Sequence, residues 1–140
     1  MHRIVSLLRN SKGRSLVKYT LLLLVVVLVG SASDLSLVLF ASHVAHTAAR
    51  EGAQQAAALP IPCTGSPNGK TTAENKVRIS PLFNSFTATC SGPTPNPNTG
   101  QREVTVTVSG PYTFSFLQFI GFTTPLTITG SATMRYEWPS

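Results

Sequence analysis

Apolar and polar residues follow three successive patterns along this chain. An unbroken apolar run fills residues 21–29, and apolar residues return at 35 and 37–40. Alanines then recur at every fourth position from Ala41 to Ala57, and two later stretches, 103–109 and 126–138, alternate between apolar and polar residues. These patterns predict a long N-terminal helix that is lipid-facing first and amphipathic afterwards, followed by an antiparallel sheet.

The apolar run predicts a transmembrane segment over residues 14–41. Fourteen apolar residues between positions 21 and 40 favour insertion by about 4–8 kcal/mol, against about 3 kcal/mol for Asp34 at the bilayer centre. A single helix continuing to residue 59 would be roughly 65 Å long, whereas a bilayer core needs about 30 Å. Residues 42–59 are therefore predicted to form an amphipathic continuation outside the membrane. The competing explanation is a cleaved secretory signal, because residues 30–33 offer small side chains to a signal peptidase.

The continuation carries a stripe of small residues on one helix face. Residues four apart stack on the same face, and the stripe consists of Ala41, Ala45, Ala49, Ala53 and Ala57, with Ala48, Gly52 and Ala56 alongside. Small side chains let another backbone approach closely, which predicts contact with the protein's own sheet or with a neighbouring helix. The alternative is that alanine is present only because it favours helix formation.

Asp34 is the one aspartate of the chain and lies near the outer end of the predicted span. An acidic residue at membrane depth usually faces protein or water, which makes Asp34 a candidate polar contact site. The alternative is that Asp34 marks the outer membrane interface.

Residues 60–140 are predicted to form a small head with an antiparallel sheet, which gives an α+β fold class. Pro60 and Pro62 end the helix. Weak strands are predicted at 76–79 and 85–90, a surface loop at 91–100 and strong strands at 103–109 and 126–138. The aromatic-rich connection 112–119 is predicted either to cap the core or to form an exposed contact patch.

The positive charge is concentrated ahead of the apolar run. The formal net charge is +6, and five basic residues precede the run without any acid among them: Arg3, Arg9, Lys12, Arg14 and Lys18. Residues 1–13 therefore read as a basic leader that keeps the N-terminus in the cytoplasm and directs the head outward. The rest of the chain has six basic and five acidic residues, which excludes a basic face for nucleic acid.

The chain offers little material for catalysis. Cys63 and Cys90 lie on the outward side of the span, where an oxidising compartment favours a disulfide; two buried free thiols are the alternative. His43 and His46 are three residues apart with no evident third metal ligand. We expect no catalytic residues, no metal, no cofactor and no small-molecule substrate.

Three strings of residues resemble a known family. They are Gly13-Arg-Ser-Leu-Val-Lys-Tyr19 before the apolar run, the helix motif Ala48, Ala49, Arg50, Glu51, Gly52 and Ala53, and the closing Ser131-Ala-Thr-Met-Arg-Tyr-Glu137. Together they resemble the TadE-like proteins, which are minor pilins or pseudopilins of tight-adherence (Flp-type) type IV pili. The resemblance covers essentially the whole chain, and the helix motif is its most specific part.

The resemblance implies a pilin-like fold and a role as a structural or assembly component that acts through protein–protein contacts. The implied partners are other pilins or pseudopilins, pilus-assembly membrane proteins and a prepilin peptidase that cuts between Gly13 and Arg14. The implied location is the bacterial inner membrane, with a single span and an extracytoplasmic head. The alternatives are a membrane-anchored extracytoplasmic binding module and a secreted protein.

Lys18 departs from the family pattern. Pilin-type sequences usually carry glutamate five residues after the scissile glycine, where it compensates the amino terminus of a neighbouring subunit. A lysine cannot do this and would extend toward the cytoplasmic headgroups instead. We therefore expect the protein to stay mainly in the membrane as an assembly factor.

Overall fold

The computed structural model of the chain describes residues 11–80, 85–121 and 123–137. Its dominant element is α1, an α-helix of 47 residues at Ser11–Ala57. The hydroxyl groups of Ser31 and Ser33 donate hydrogen bonds to the carbonyl oxygens four residues earlier, at 2.7 and 2.9 Å. These polar residues are therefore accommodated within the helix, and α1 continues unbroken between its apolar and alanine-rich halves.

The expected helix over residues 14–59 is confirmed, with slightly different ends. Its last turns close through backbone hydrogen bonds from Ala58 to the carbonyl of Gln54 and from Leu59 to that of Ala56, both 3.2 Å long. Pro60 follows and cannot continue the helix because it lacks a backbone N–H. The part of α1 described from Ser15 onward is long and apolar enough to cross a membrane. It could serve as a membrane anchor or as a signal sequence.

A second helix, α2, spans Gly69–Arg78, so the strand predicted at 76–79 is wrong. The Asn68 side chain accepts a hydrogen bond from the Thr71 backbone N–H at 2.8 Å, and the Thr71 hydroxyl accepts one from the Asn68 N–H at 3.0 Å. This capping box fixes the start of the helix. Ala73 and Val77 are buried on one face of this helix, four residues apart. The alternation of apolar and polar residues at 76–79 covers only four positions, which is too short to define a strand.

The sheet has three antiparallel strands in the order β1-β2-β3, namely Thr87–Pro95, Arg102–Tyr112 and Leu126–Arg135. The strand predicted at 103–109 is confirmed within β2. The strand predicted at 126–138 is confirmed only as far as Arg135, because residues 136–137 do not belong to it and Trp138 lies outside the described residues. The surface loop predicted at 91–100 is wrong for residues 91–95, because β1 continues through them. An irregularity in register between Ser91 and Thr94 accommodates Pro93, which an edge strand tolerates.

The core lies between the sheet and the distal half of α1. The buried face of the sheet contains Val104, Val106, Val108 and Ile128, and the opposing helix face contains the alanine stripe. On the outer face of the sheet, threonine and serine hydroxyls pair across strands, as at Thr105 and Thr133, 2.9 Å apart. The fold is therefore α+β, with a long apolar helix packed on a small antiparallel sheet.

Candidate functional site

The alanine stripe of α1 packs against the protein's own sheet, one of the two contacts expected for it. Ala41, Ala45, Ala49 and Ala53 are fully buried. Gly130 of β3 faces the helix so closely that a Cβ atom built on it would lie 2.6 Å from the carbonyl oxygen of Ala45. The helix and strand backbones are therefore in direct contact, and larger side chains at either position would separate them.

The motif 48–53 divides into a packing side and a charged side. A Cβ atom on Gly52 would lie 2.6 Å from the carbonyl oxygen of Gly69, which places the crossing of α1 and α2 at two glycines. On the other side, Arg50 is exposed, and Glu51 forms an ion pair with Lys76 of α2 at 2.8 Å. The small residues of the motif thus hold the head together, while its charged residues face outward.

Asp34, on α1, holds the segment that connects β2 and β3 against the helix. Its side chain is buried, and its Oδ2 atom accepts hydrogen bonds from the backbone N–H groups of Phe116 and Leu117 at 2.9 and 2.8 Å. These donors begin a short 3-10 helix at Leu117–Ile120, so the carboxylate caps its N-terminus. One turn earlier on α1, a Cβ atom on Gly30 would lie 2.5 Å from the ring of Phe116.

The aromatic connection belongs to the core at one end and is exposed at the other. Tyr112 is buried, and its ring meets that of Phe114 edge-to-face with centroids 5.7 Å apart. Burial, and secondarily the negative charge of Asp34, raise the pKa of the Tyr112 hydroxyl above its ordinary value. At the other end of the connection, Phe119 is 91% exposed and Ile120 is 49% exposed. The first half therefore caps the core, and the second half presents apolar side chains to the surroundings.

The N-terminal half of α1 exposes a continuous apolar surface. Its large side chains from Leu21 to Val29 are mostly exposed, and so is Lys18. The backbone of Gly13 and Arg14 is helical and belongs to α1.

Two further links join the end of α1 to the sheet. The disulfide expected between Cys63 and Cys90 is present, with Cα atoms 5.4 Å apart, and attaches the segment after α1 to β1. The Tyr136 hydroxyl donates a hydrogen bond of 2.7 Å to the carbonyl oxygen of Pro60. Tyr136 belongs to the closing string 131–137, but nothing in the sequence indicates that its hydroxyl binds the Pro60 carbonyl.

The sequence also gave no contact for Gly30, Phe116 or Gly130. Glycines facing helices or rings were the only available signal, and a single sequence does not show which surface each glycine faces.

His43 and His46 are both exposed on α1. Within residues 11–80, 85–121 and 123–137, no three His, Cys, Asp or Glu side chains cluster in a way that could hold a metal ion.

Comparison of the chain with protein-family models, curated proteins and solved structures finds no match.

Proposed function

We propose that this chain is a TadE-like minor pilin or pseudopilin, a structural and assembly component of a tight-adherence pilus. It would be anchored by α1 in the bacterial inner membrane, with its N-terminus in the cytoplasm and its head outside. Its work would be done through contacts with other pilins and with pilus-assembly membrane proteins.

The observation that carries the proposal is the division of α1 into two surfaces. The half before Asp34 exposes its leucines and valines, while the half after it buries alanines against a small sheet. An exposed apolar helix surface is costly in water and is stable in lipid or against other apolar helices. A head that folds on the same helix leaves that apolar half free to engage a membrane or neighbouring subunits.

The basic leader supports the proposed topology. Its charges precede the span without any acid among them, which favours retention on the cytoplasmic side. The disulfide between Cys63 and Cys90 suits an oxidising compartment on the other side. These two features agree on an outward-facing head.

Lys18 supports a role in assembly over deep burial in a filament. It is exposed on α1 near the start of the apolar surface, and an ammonium group there would reach the cytoplasmic headgroups. In a filament core the same charge would need an acidic partner, since an unpaired buried charge is strongly unfavourable. The protein would therefore remain mainly in the membrane.

N-terminal sequencing of the membrane-bound protein tests the processing step. The full chain would be produced with and without a prepilin peptidase of the tight-adherence class, together with Gly13→Val as the matched uncleavable variant. The proposal expects a new start at Arg14 only when the peptidase and Gly13 are both present. A start near Asp34 would indicate ordinary secretion and would contradict the proposal.

The effect on pili tests the function itself. Deletion of the gene should abolish or shorten tight-adherence pili, and the wild-type chain should restore them while Gly13→Val should not. Mass spectrometry should find the protein mainly in membranes. Normal pili after deletion would contradict a role in assembly, and abundant copies in sheared pili would contradict the membrane-retained role.

A further inference from the structure

The 3-10 helix between β2 and β3 is fixed at a defined height along α1. Asp34 accepts hydrogen bonds from the backbone N–H groups of Phe116 and Leu117 at the start of this helix, and Gly30 lies against the ring of Phe116. Phe119 and Ile120 then project with 91% and 49% of their surfaces exposed. Their position relative to the apolar half of α1 is therefore set by the fold.

The level of this contact follows from helix geometry. Asp34 is 16 residues beyond Lys18, and a rise of 1.5 Å per residue places it about 24 Å along the axis. If the Lys18 ammonium lies near the cytoplasmic boundary, a hydrocarbon core about 30 Å thick extends roughly 6 Å beyond Asp34. Gly30 lies about another 6 Å deeper. The contact thus falls within the outer leaflet.

The chemistry of this segment suits that environment. The sequence has no charged residue between Glu103 and Arg135. The N–H groups of Phe119 and Gly121 donate to the carbonyls of Phe116 and Gln118 at 3.0 and 3.1 Å. Irregular backbone is tolerated at membrane depth only where its polar groups are satisfied by protein. Asp34 satisfies the N–H groups of Phe116 and Leu117, at the start of the 3-10 helix.

We propose that the segment 116–121 inserts into the outer leaflet of the bilayer that α1 crosses, with Phe119 and Ile120 in contact with lipid chains. The exposed apolar surface of α1 continues at this level through Leu35, which is 58% exposed, and reaches the outer boundary near Leu39, which is 72% exposed. The segment extends that surface sideways. The head is therefore attached to the membrane at two places, α1 and this second contact, and its orientation to the bilayer is restricted.

This inference rests on the membrane span of the proposed function and is independent of the pilus role. The test uses the full chain in phosphatidylcholine vesicles whose acyl chains carry bromine, a contact quencher of tryptophan emission. The native tryptophan is removed by Trp138→Phe. Single tryptophans are then introduced by Phe119→Trp in the segment, by Leu28→Trp in the span and by Thr129→Trp on the exposed outer face of the sheet.

The expected result is strong quenching and blue-shifted emission for Phe119→Trp and Leu28→Trp, with neither for Thr129→Trp. Bromine near the headgroups should quench Phe119→Trp more than deep bromine does, and the reverse should hold for Leu28→Trp. Adding Asp34→Ala should reduce quenching of Phe119→Trp and leave Leu28→Trp unchanged. Undiminished quenching in that variant would overturn the role of Asp34 as the anchor.

Other outcomes separate this inference from its premise. Quenching of Leu28→Trp without quenching of Phe119→Trp would overturn the inserted segment while leaving the membrane span intact. Red-shifted emission from Phe119→Trp would then indicate water, and blue-shifted emission would indicate cover by a protein surface. Absence of quenching for Leu28→Trp as well would overturn the span, and with it the proposed function.

Discussion

Gly130 of β3 rests directly on the backbone of Ala45 in α1. A Cβ atom at position 130 would lie 2.6 Å from the Ala45 carbonyl oxygen and 2.5 Å from the backbone nitrogen of His46. Both distances are far below van der Waals contact. The alanines at four-residue spacing therefore do more than favour helix formation, because they permit this close approach of helix and sheet.

Gly130→Ala is expected to destabilise the head by about 1–3 kcal/mol, as overpacking of a filled core does. Unfolding of the full chain by urea in detergent micelles, followed by near-ultraviolet circular dichroism, measures the change. Thr129→Val is the matched control, since residue 129 is exposed on the other face of the same strand. A Gly130→Ala variant as stable as this control would contradict direct contact between helix and strand.

The long helix and the two central strands could be predicted because each has a regular pattern of many residues. Val104, Val106 and Val108 alternate with threonines, and the buried face of β2 follows that alternation. In contrast, α2 has only ten residues and few apolar positions, so its sequence shows no clear helical periodicity. The pattern at 76–79 was too short to separate a strand from a helix.

The candidate site was only partly predictable because its contacts join distant parts of the chain. The sequence marked Asp34 as unusual, but its partner Phe116 is 82 residues away. A backbone N–H has no sequence signature, so the carboxylate gave no indication of which segment it binds. The disulfide was easier to predict, since the chain has only two cysteines.

Asp34→Ala is expected to release the connection between β2 and β3 from α1. It removes the acceptor of two hydrogen bonds to a charged group, each contributing about 1.5–3 kcal/mol. Hydrogen–deuterium exchange should show much faster exchange at the amides of Phe116 and Leu117, with the amides of β2 still protected. Ser36→Ala, a nearby exposed position on α1, should leave both regions unchanged. Slow exchange at 116 and 117 in Asp34→Ala would refute the anchor.

Tyr136→Phe is expected to weaken the attachment of the segment that follows β3 to the end of α1. The variant removes the hydrogen bond to the Pro60 carbonyl, which is 2.7 Å long, and a typical loss is about 0.5–1.5 kcal/mol. The urea concentration at the unfolding midpoint should fall slightly. The slope of the free energy of unfolding against urea concentration should stay unchanged. Pairing with Thr129→Val, at an exposed position of β3, separates this loss from general effects of substitution in this part of the chain.

The Cys63→Ala/Cys90→Ala double variant is expected to lose about 3–4 kcal/mol of head stability. The disulfide closes a loop with a sequence separation of 27. A cross-link over such a loop reduces the conformational entropy of the unfolded chain, which raises the free energy of unfolding by about that amount. Reduced wild type should unfold at the same urea concentration as the double variant. Equal stability of the oxidised wild type and the double variant would show that the bond forms without constraining the unfolded state.

Raising the pH above about 10, the ordinary pKa of tyrosine, is expected to destabilise the protein through Tyr112. Burial and, to a lesser extent, Asp34 raise the pKa of Tyr112 in the folded state, so the unfolded chain releases this proton first. Fewer protons bound to the unfolded state mean that stability falls as pH increases. Below the unfolded pKa the two states bind this proton equally, and no such loss occurs.

Tyr112→Phe isolates this contribution, because the other titrating groups are common to both chains. Urea unfolding at pH values from 8 to about 11.5 should give two curves that run parallel below the ordinary tyrosine pKa of about 10 and diverge above it. The wild type should lose stability faster, by at most about 1.4 kcal/mol per pH unit. Parallel curves for Tyr112→Phe and wild type across the whole range would mean that the Tyr112 hydroxyl ionises equally easily in the folded and unfolded chains.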